Sequence, residues 1–159
     1  MRKIIAVAGT AGLIIVGLGT SPALADPYKQ QPVPFQIHET QTGFGTSLAT
    51  ATFTASGPLC PSGTFVDEYT HESSAGAHYR INIKGTAVYT CDDDSGTFLA
   101  RKNTHLQFLP DFTSTSVSPF KIIGGTGDYE GLRGSGTNVG LADFNTGVLS
   151  ATIYGNIVP

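Results

Sequence analysis

The most restrictive feature of this chain is a pattern it lacks. Beyond residue 25, apolar residues nowhere recur at three- and four-residue spacing over ten positions without a Gly, Pro or β-branched cluster intervening. Without that period no amphipathic helix is expected. What recurs instead is short alternating runs rich in Thr, Val, Ile, Tyr and Phe, the period-two pattern of half-buried strands. Eight such runs stand out, over 33–41, 46–56, 64–72, 79–91, 96–108, 115–123, 129–142 and 147–158. Turn formers join them: Gly43-Phe44-Gly45, Ser73 to Gly76, Asp92 to Gly96, Pro110-Asp111, Gly124 to Asp128 and Asn145-Thr146-Gly147. Successive strands with short links predict an up-and-down antiparallel sheet, and closing it into a barrel removes its edges. The expected fold is all-β, an eight-stranded antiparallel barrel, with a two-sheet β-sandwich as the alternative. A barrel of eight strands is just wide enough to fill with side chains or to hold one small ligand.

Residues 1–25 are read apart from that domain. Arg2 and Lys3 precede an uncharged apolar stretch from Ile4 to Leu18, and Ala23-Leu24-Ala25 places small residues where signal peptidase reads. Four glycines and Pro22 interrupt the uncharged run from Ile4 to Ala25, whereas a spanning helix wants roughly 20 solidly apolar residues. Residues 1–25 are therefore expected to be a cleaved signal peptide and 26–159 a single β-barrel domain, secreted and extracellular, with no membrane attachment after cleavage. The remaining 134 residues carry seven basic side chains against twelve acidic ones, a net charge of −5. No basic stripe is present to meet phosphates, which argues against nucleic acid as a partner.

Two cysteines in an exported chain point to a disulfide, because oxidising compartments let one persist. The fourth run places Tyr79, Ile81, Ile83, Ala87, Tyr89 and Cys91 on one face. Pairing it with the third run, Phe65 and Tyr69 on the same face, sets Tyr69 opposite Ile81 and brings Cys91 within one residue of Cys60. A bulge at Pro61–Gly63 would align the two at a separation suited to a disulfide.

The densest local signal is the stretch from Phe120 to Thr137, in which Gly124-Gly125-Thr126-Gly127-Asp128-Tyr129 precedes Glu130-Gly131-Leu132-Arg133-Gly134. It lacks G-x-G-x-x-G, G-K-[ST] and a following helix, so it is not a phosphate loop and implies no nucleotide cofactor. A tight glycine turn, with later glycines that allow bending and close approach, is the physical reading. Gly124 to Thr137 closely resembles the signature of the allene oxide cyclase and dirigent superfamily, including small bacterial proteins described as allene oxide cyclase barrel-like. The resemblance implies a calycin-like barrel with an apolar cavity, often a homotrimer, whose members steer cyclisation or coupling of reactive small molecules without a cofactor. Carried over, it nominates Asp128 and Arg133 as catalytic or pocket groups, and Glu39 by position alone. The Asp-Asp-Pro motif of plant dirigents has no counterpart. From the residues themselves, Asp128 also fits a turn residue bonded to its own backbone. Arg133 fits either an inward guanidinium needing an anionic partner or a solvated charge on the outer wall.

Other chemistries find little support. His71 and His78 flank one turn but have no clear third ligand, and His38 and His105 cannot be set beside them, so no metal site is expected. Asp92-Asp93-Asp94-Ser95-Gly96 lacks the twelve-residue calcium loop and reads as a hairpin turn. No serine sits in a G-x-S-x-G elbow. The expectation is a cavity for a small apolar or aromatic molecule, lined by Tyr79, Tyr89, Tyr69, Phe65 and Phe120. If the protein is an enzyme, it should be a cofactor-independent isomerase or cyclase that works by holding its substrate in a reactive shape. The rival is a structural or interaction protein with a filled barrel. An open apolar cavity of roughly 300 Å³ or more would favour the ligand.

Overall fold

A computed structural model describes residues 31–43, 48–72 and 80–158; the expected leader at 1–25 lies outside them. The strands are β1 (Val33–Thr42), β2 (Leu48–Ser56), β3 (Ser62–Glu72), β4 (Arg80–Cys91), β5 (Gly96–Phe108), β6 (Thr113–Gly127), β7 (Arg133–Asp143) and β8 (Val148–Val158). Each pairs antiparallel with the next, and β8 returns to β1 along its whole length, from Val33 opposite Ile157 to Thr42 opposite Val148. The sheet is thus a closed eight-stranded barrel, and the sandwich alternative falls away.

Alternation decides what faces inward. Phe35, Ile37 and Glu39 on β1 are buried while Gln36, His38 and Thr40 between them are exposed. On β6, Ser114, Ser116, Ser118, Phe120 and Ile122 are buried in the same rhythm. That rhythm breaks after Ile122, because the pairing with β5 steps from Ala100 opposite Ile122 to Leu99 opposite Gly124. Ile123 is left over as a bulge, which bends the strand and tightens its twist.

Two expectations need correction. The glycines at 124–127, read as a turn, are the end of β6 and pair with Gly96 to Leu99, while the turn proper is Asp128 to Leu132. Tyr129 accordingly sits in that turn, buried, rather than on a strand. The β3–β4 register also differs: Phe65 meets Tyr89 and Tyr69 meets Gly85, four residues from the expected pairing. A slip of four keeps every side chain on its face, so burial pattern alone could not detect it. Cys91 lies opposite Gly63, and Cys60 reaches it from the β2–β3 loop, with Cα atoms 5.9 Å apart in the Cys60–Cys91 disulfide.

An up-and-down barrel has two kinds of end. One gathers the β2–β3, β4–β5 and β6–β7 loops, the disulfide and the glycine motif. There the interior is filled by Phe35, Phe53, Phe98, Ile122, Tyr129 and Ile157. Tyr89 is at the centre of the packing, stacked on Phe98 at 4.4 Å and on Phe65 at 5.4 Å between ring centroids. The other end, where β5–β6 and β7–β8 turn, is hollow.

Candidate functional site

The hollow end holds a cavity of about 510 Å³. Its walls come from positions that continue the inward rhythm of the packed end: Ile81 and Ile83 on β4, Leu106 and Phe108 on β5, Leu149 and Ala151 on β8. Polar groups occupy one side, with Ser114 and Ser116 on β6 and Asn138 on β7. Small residues make the room. Where the packed end has phenylalanine, this end has Gly85, Gly140, Ala142 and Ala151.

Charge is concentrated on the floor. Lys102 is in phase with Phe98 and Ala100 on β5, so its side chain must enter the barrel. It is 8 % exposed, and its ammonium lies 2.8 Å from Glu39 Oε1 and 3.1 Å from Asp67 Oδ2. The same ammonium stands over the Phe65 ring, 4.8 Å from its centroid, and 5.5 Å from that of Tyr89. Those faces carry the negative end of the ring quadrupole and favour a desolvated cation. Tyr89 donates its hydroxyl to the same Glu39 oxygen. An isolated charge here would be costly, and the triad with its hydroxyl partner is what makes the burial tolerable.

Electrostatics follow from that arrangement. Burial pushes the Asp67 carboxyl above its ordinary value; Lys102 pulls it back and Glu39 adds to the rise. For Lys102, burial alone would lower the affinity for its proton, but the two carboxylates outweigh it and the ammonium is held above an ordinary lysine. Tyr89 is raised well above an ordinary phenol, first by burial and then by Glu39 and Asp67. The site therefore keeps its cation and its phenol proton firmly. Asp67 Oδ1, Ser114 Oγ and Asn138 Oδ1 are buried without a protein partner, and all three residues line the cavity.

The residues nominated from sequence divide. Glu39 is on the cavity floor, and Phe65, Tyr89 and Phe120 form the packed layer on which the floor rests. Tyr79 and His78 lie outside the described residues, as do the side chains of Tyr69 and His71. Asp128 and Arg133 are at the opposite end, exposed and away from the cavity. Asp128 belongs to the β6–β7 turn, where its backbone N–H donates to Ser95 O. Arg133 faces outward and turns back on its own chain, Nη1 donating to Leu132 O at 2.9 Å. Neither lines the cavity: β7 enters the barrel through Gly134, Asn138 and Ala142, one position out of phase with Arg133. His38 and His105 are on the outer wall, bonded to Thr152 and Asn82. In the β4–β5 turn, Asp93 Oδ1 accepts from Ser95 N at 3.0 Å.

Lys102 and Asp67 went unnoticed in the sequence, although the signal was present. Each is a lone charge in phase with buried residues, Asp67 two places after Phe65 and Lys102 two places after Ala100. No protein-family model, curated protein or solved structure matches the chain.

Proposed function

We propose that this is a secreted barrel that binds a small apolar or aromatic molecule in the hollow end of its interior. One observation carries the reading: an interior cavity of about 510 Å³ with apolar walls and a buried Glu39–Lys102–Asp67 cluster on its floor. Ligand pockets combine those elements, a largely apolar surface with a few fixed polar groups that set orientation. A filled structural barrel has no use for either. Secretion is supported by the leader-like residues 1–25 and by the disulfide, which suits an oxidising compartment. The resemblance of Gly124–Thr137 to the allene oxide cyclases and dirigents agrees with a barrel. Its acid and arginine are remote from the cavity, however, so binding is favoured over cyclisation at Asp128 and Arg133.

Native mass spectrometry of the protein from its own secretion medium, joined to uptake of the neutral fluorophore naphthylethanol, tests the reading. The chain has no tryptophan, which leaves the naphthyl emission clear. A co-purified small molecule or saturable uptake is expected. Ala151→Phe, which fills the cavity from β8, should weaken uptake at least tenfold. A mass free of adduct together with no uptake would return the barrel to a structural role.

A further inference from the structure

The cavity does more than accept an apolar body; its polar groups specify a head. Two carboxylates and one ammonium supply its charge, so with all three ionised the floor carries one negative charge in excess. The ammonium is already committed, donating to Glu39 on one side and Asp67 on the other while its remaining surroundings include the Phe65 and Tyr89 rings. An anionic ligand would have to break those contacts and would meet the excess carboxylate. The unpartnered atoms tell the same story from a separate observation. Asp67 Oδ1, as a carboxylate oxygen, and Asn138 Oδ1 accept hydrogen bonds and do not donate, and Ser114 Oγ can accept. Ser114 is wholly buried and Asn138 is 5 % exposed, and both line the cavity. Buried acceptors left unpaired are costly, and a ligand rich in donors removes that cost.

We propose, resting on the binding reading above, that the cavity selects a small apolar molecule bearing a protonated amine. The ammonium of the ligand sits against Asp67, and the apolar body extends between Ile83, Leu106, Phe108 and Leu149 towards the open end. The head gives Asp67 Oδ1 the donor it lacks, and its charge balances the second carboxylate. A hydroxyl supplies only one donor and no charge, so it is the weaker match. A carboxylate supplies neither and is rejected.

Three probes with one aromatic body decide it: naphthylethylamine, naphthylethanol and naphthylacetate, titrated into the mature protein at neutral pH. The amine is expected to bind at least tenfold more tightly than the alcohol, and the carboxylate more weakly than either. Asp67→Asn should cancel the preference for the amine, bringing amine and alcohol to the same affinity within that one variant. Equal binding of amine and alcohol, or a carboxylate that binds best, overturns the inference while leaving a ligand cavity in place. Failure of all three to bind counts against the cavity reading itself. Because the comparison of the three probes is made on the unaltered protein, the answer does not depend on whether the variant folds.

Discussion

Tyr89 joins the packed end of the barrel to the hollow one. Its ring stacks between Phe65 and Phe98, and its hydroxyl donates upward to Glu39. Burial first, then Glu39 and Asp67, raise its pKa well above that of an unfolded tyrosine, which ionises near 10. Above about that pH the unfolded chain loses this proton and the folded one retains it, so stability falls as pH rises. Lys102 acts in the same direction: its folded pKa is raised, so its contribution is complete below an ordinary lysine's value and is lost above it. Tyr89→Phe is therefore expected to cost about 1.5–3 kcal/mol near neutrality, the range for a hydrogen bond to a charged group. That deficit should shrink above about pH 10, where the native protein alone still keeps a phenol from ionising. Denaturant unfolding of both proteins across the alkaline range measures it, and a deficit that stays constant would mean the hydroxyl is not held as described. At this scale the sequence was only half legible. Tyr89 and Glu39 were nominated, but Lys102 and Asp67 were not, because a charge in an apolar phase announces burial without naming its partners. Those partners are on β1, β3 and β5, and only closure of the barrel brings them together.

Strand identity came through well from local pattern, while strand ends and register did not. All eight runs are strands, since alternation is a property of single strands and needs no partner. The misplaced boundary at 124–127 has a cause in the glycines themselves, which suit a turn and a tightly paired strand equally. Gly127 has φ +60, and a Cβ added there would be 2.3 Å from Ser95 O. Gly125 has ordinary φ, but its Cβ would be 2.2 Å from Thr97 O and 2.7 Å from the Tyr129 Cβ. One glycine is required by conformation and contact, the other by contact alone. Gly127→Ala should cost more than about 1 kcal/mol, because left-handed strain adds to a clash with backbone that cannot swing away. Urea unfolding reads the loss, and a change under about 0.5 kcal/mol would show the pairing with Gly96 to be slack. The turns tell a complementary story. Asp93, Asp111 and Asp143 each accept through Oδ1 from the backbone N–H two residues on, at Ser95, Thr113 and Asn145. The carboxyls of Asp93 and Asp111 are held below the ordinary aspartate value first by the Ser95 and Thr113 hydroxyls and then by those backbone N–H groups, and that of Asp143 first by the Asn145 N–H. Two of them belong to the open end, where Asn145 Nδ2 donates to Asp111 O and Phe144 N to Phe112 O, tying the β5–β6 and β7–β8 loops together.

Across the whole molecule, the barrel assigns stability to one end and space to the other. The aromatic cluster, the bulge at Ile123, the glycine motif and the disulfide all gather where the interior is full. Glycine, alanine and serine replace large side chains where it is empty, and the empty end surrenders packing contacts that the full end must supply. The glycine motif lies at the end away from the cavity, because a densely patterned sequence marks tight packing as readily as chemistry. This division makes a test at the scale of the fold. The Cys60–Cys91 link spans 31 positions, and in the chain-entropy picture closing such a loop is worth roughly 3–4 kcal/mol, exerted on the unfolded chain. Cys60→Ala with Cys91→Ala should therefore lower the unfolding free energy by about that amount. Because both cysteines are buried beside Leu59 beyond the aromatic layer, their loss leaves the Glu39–Lys102–Asp67 floor in place. Naphthylethanol should bind the still-folded double variant within about twofold of its affinity for the native protein. If its affinity collapses while the far-ultraviolet spectrum remains that of a folded barrel, the two ends are mechanically coupled, and the packed end helps set the shape of the cavity as well as its stability.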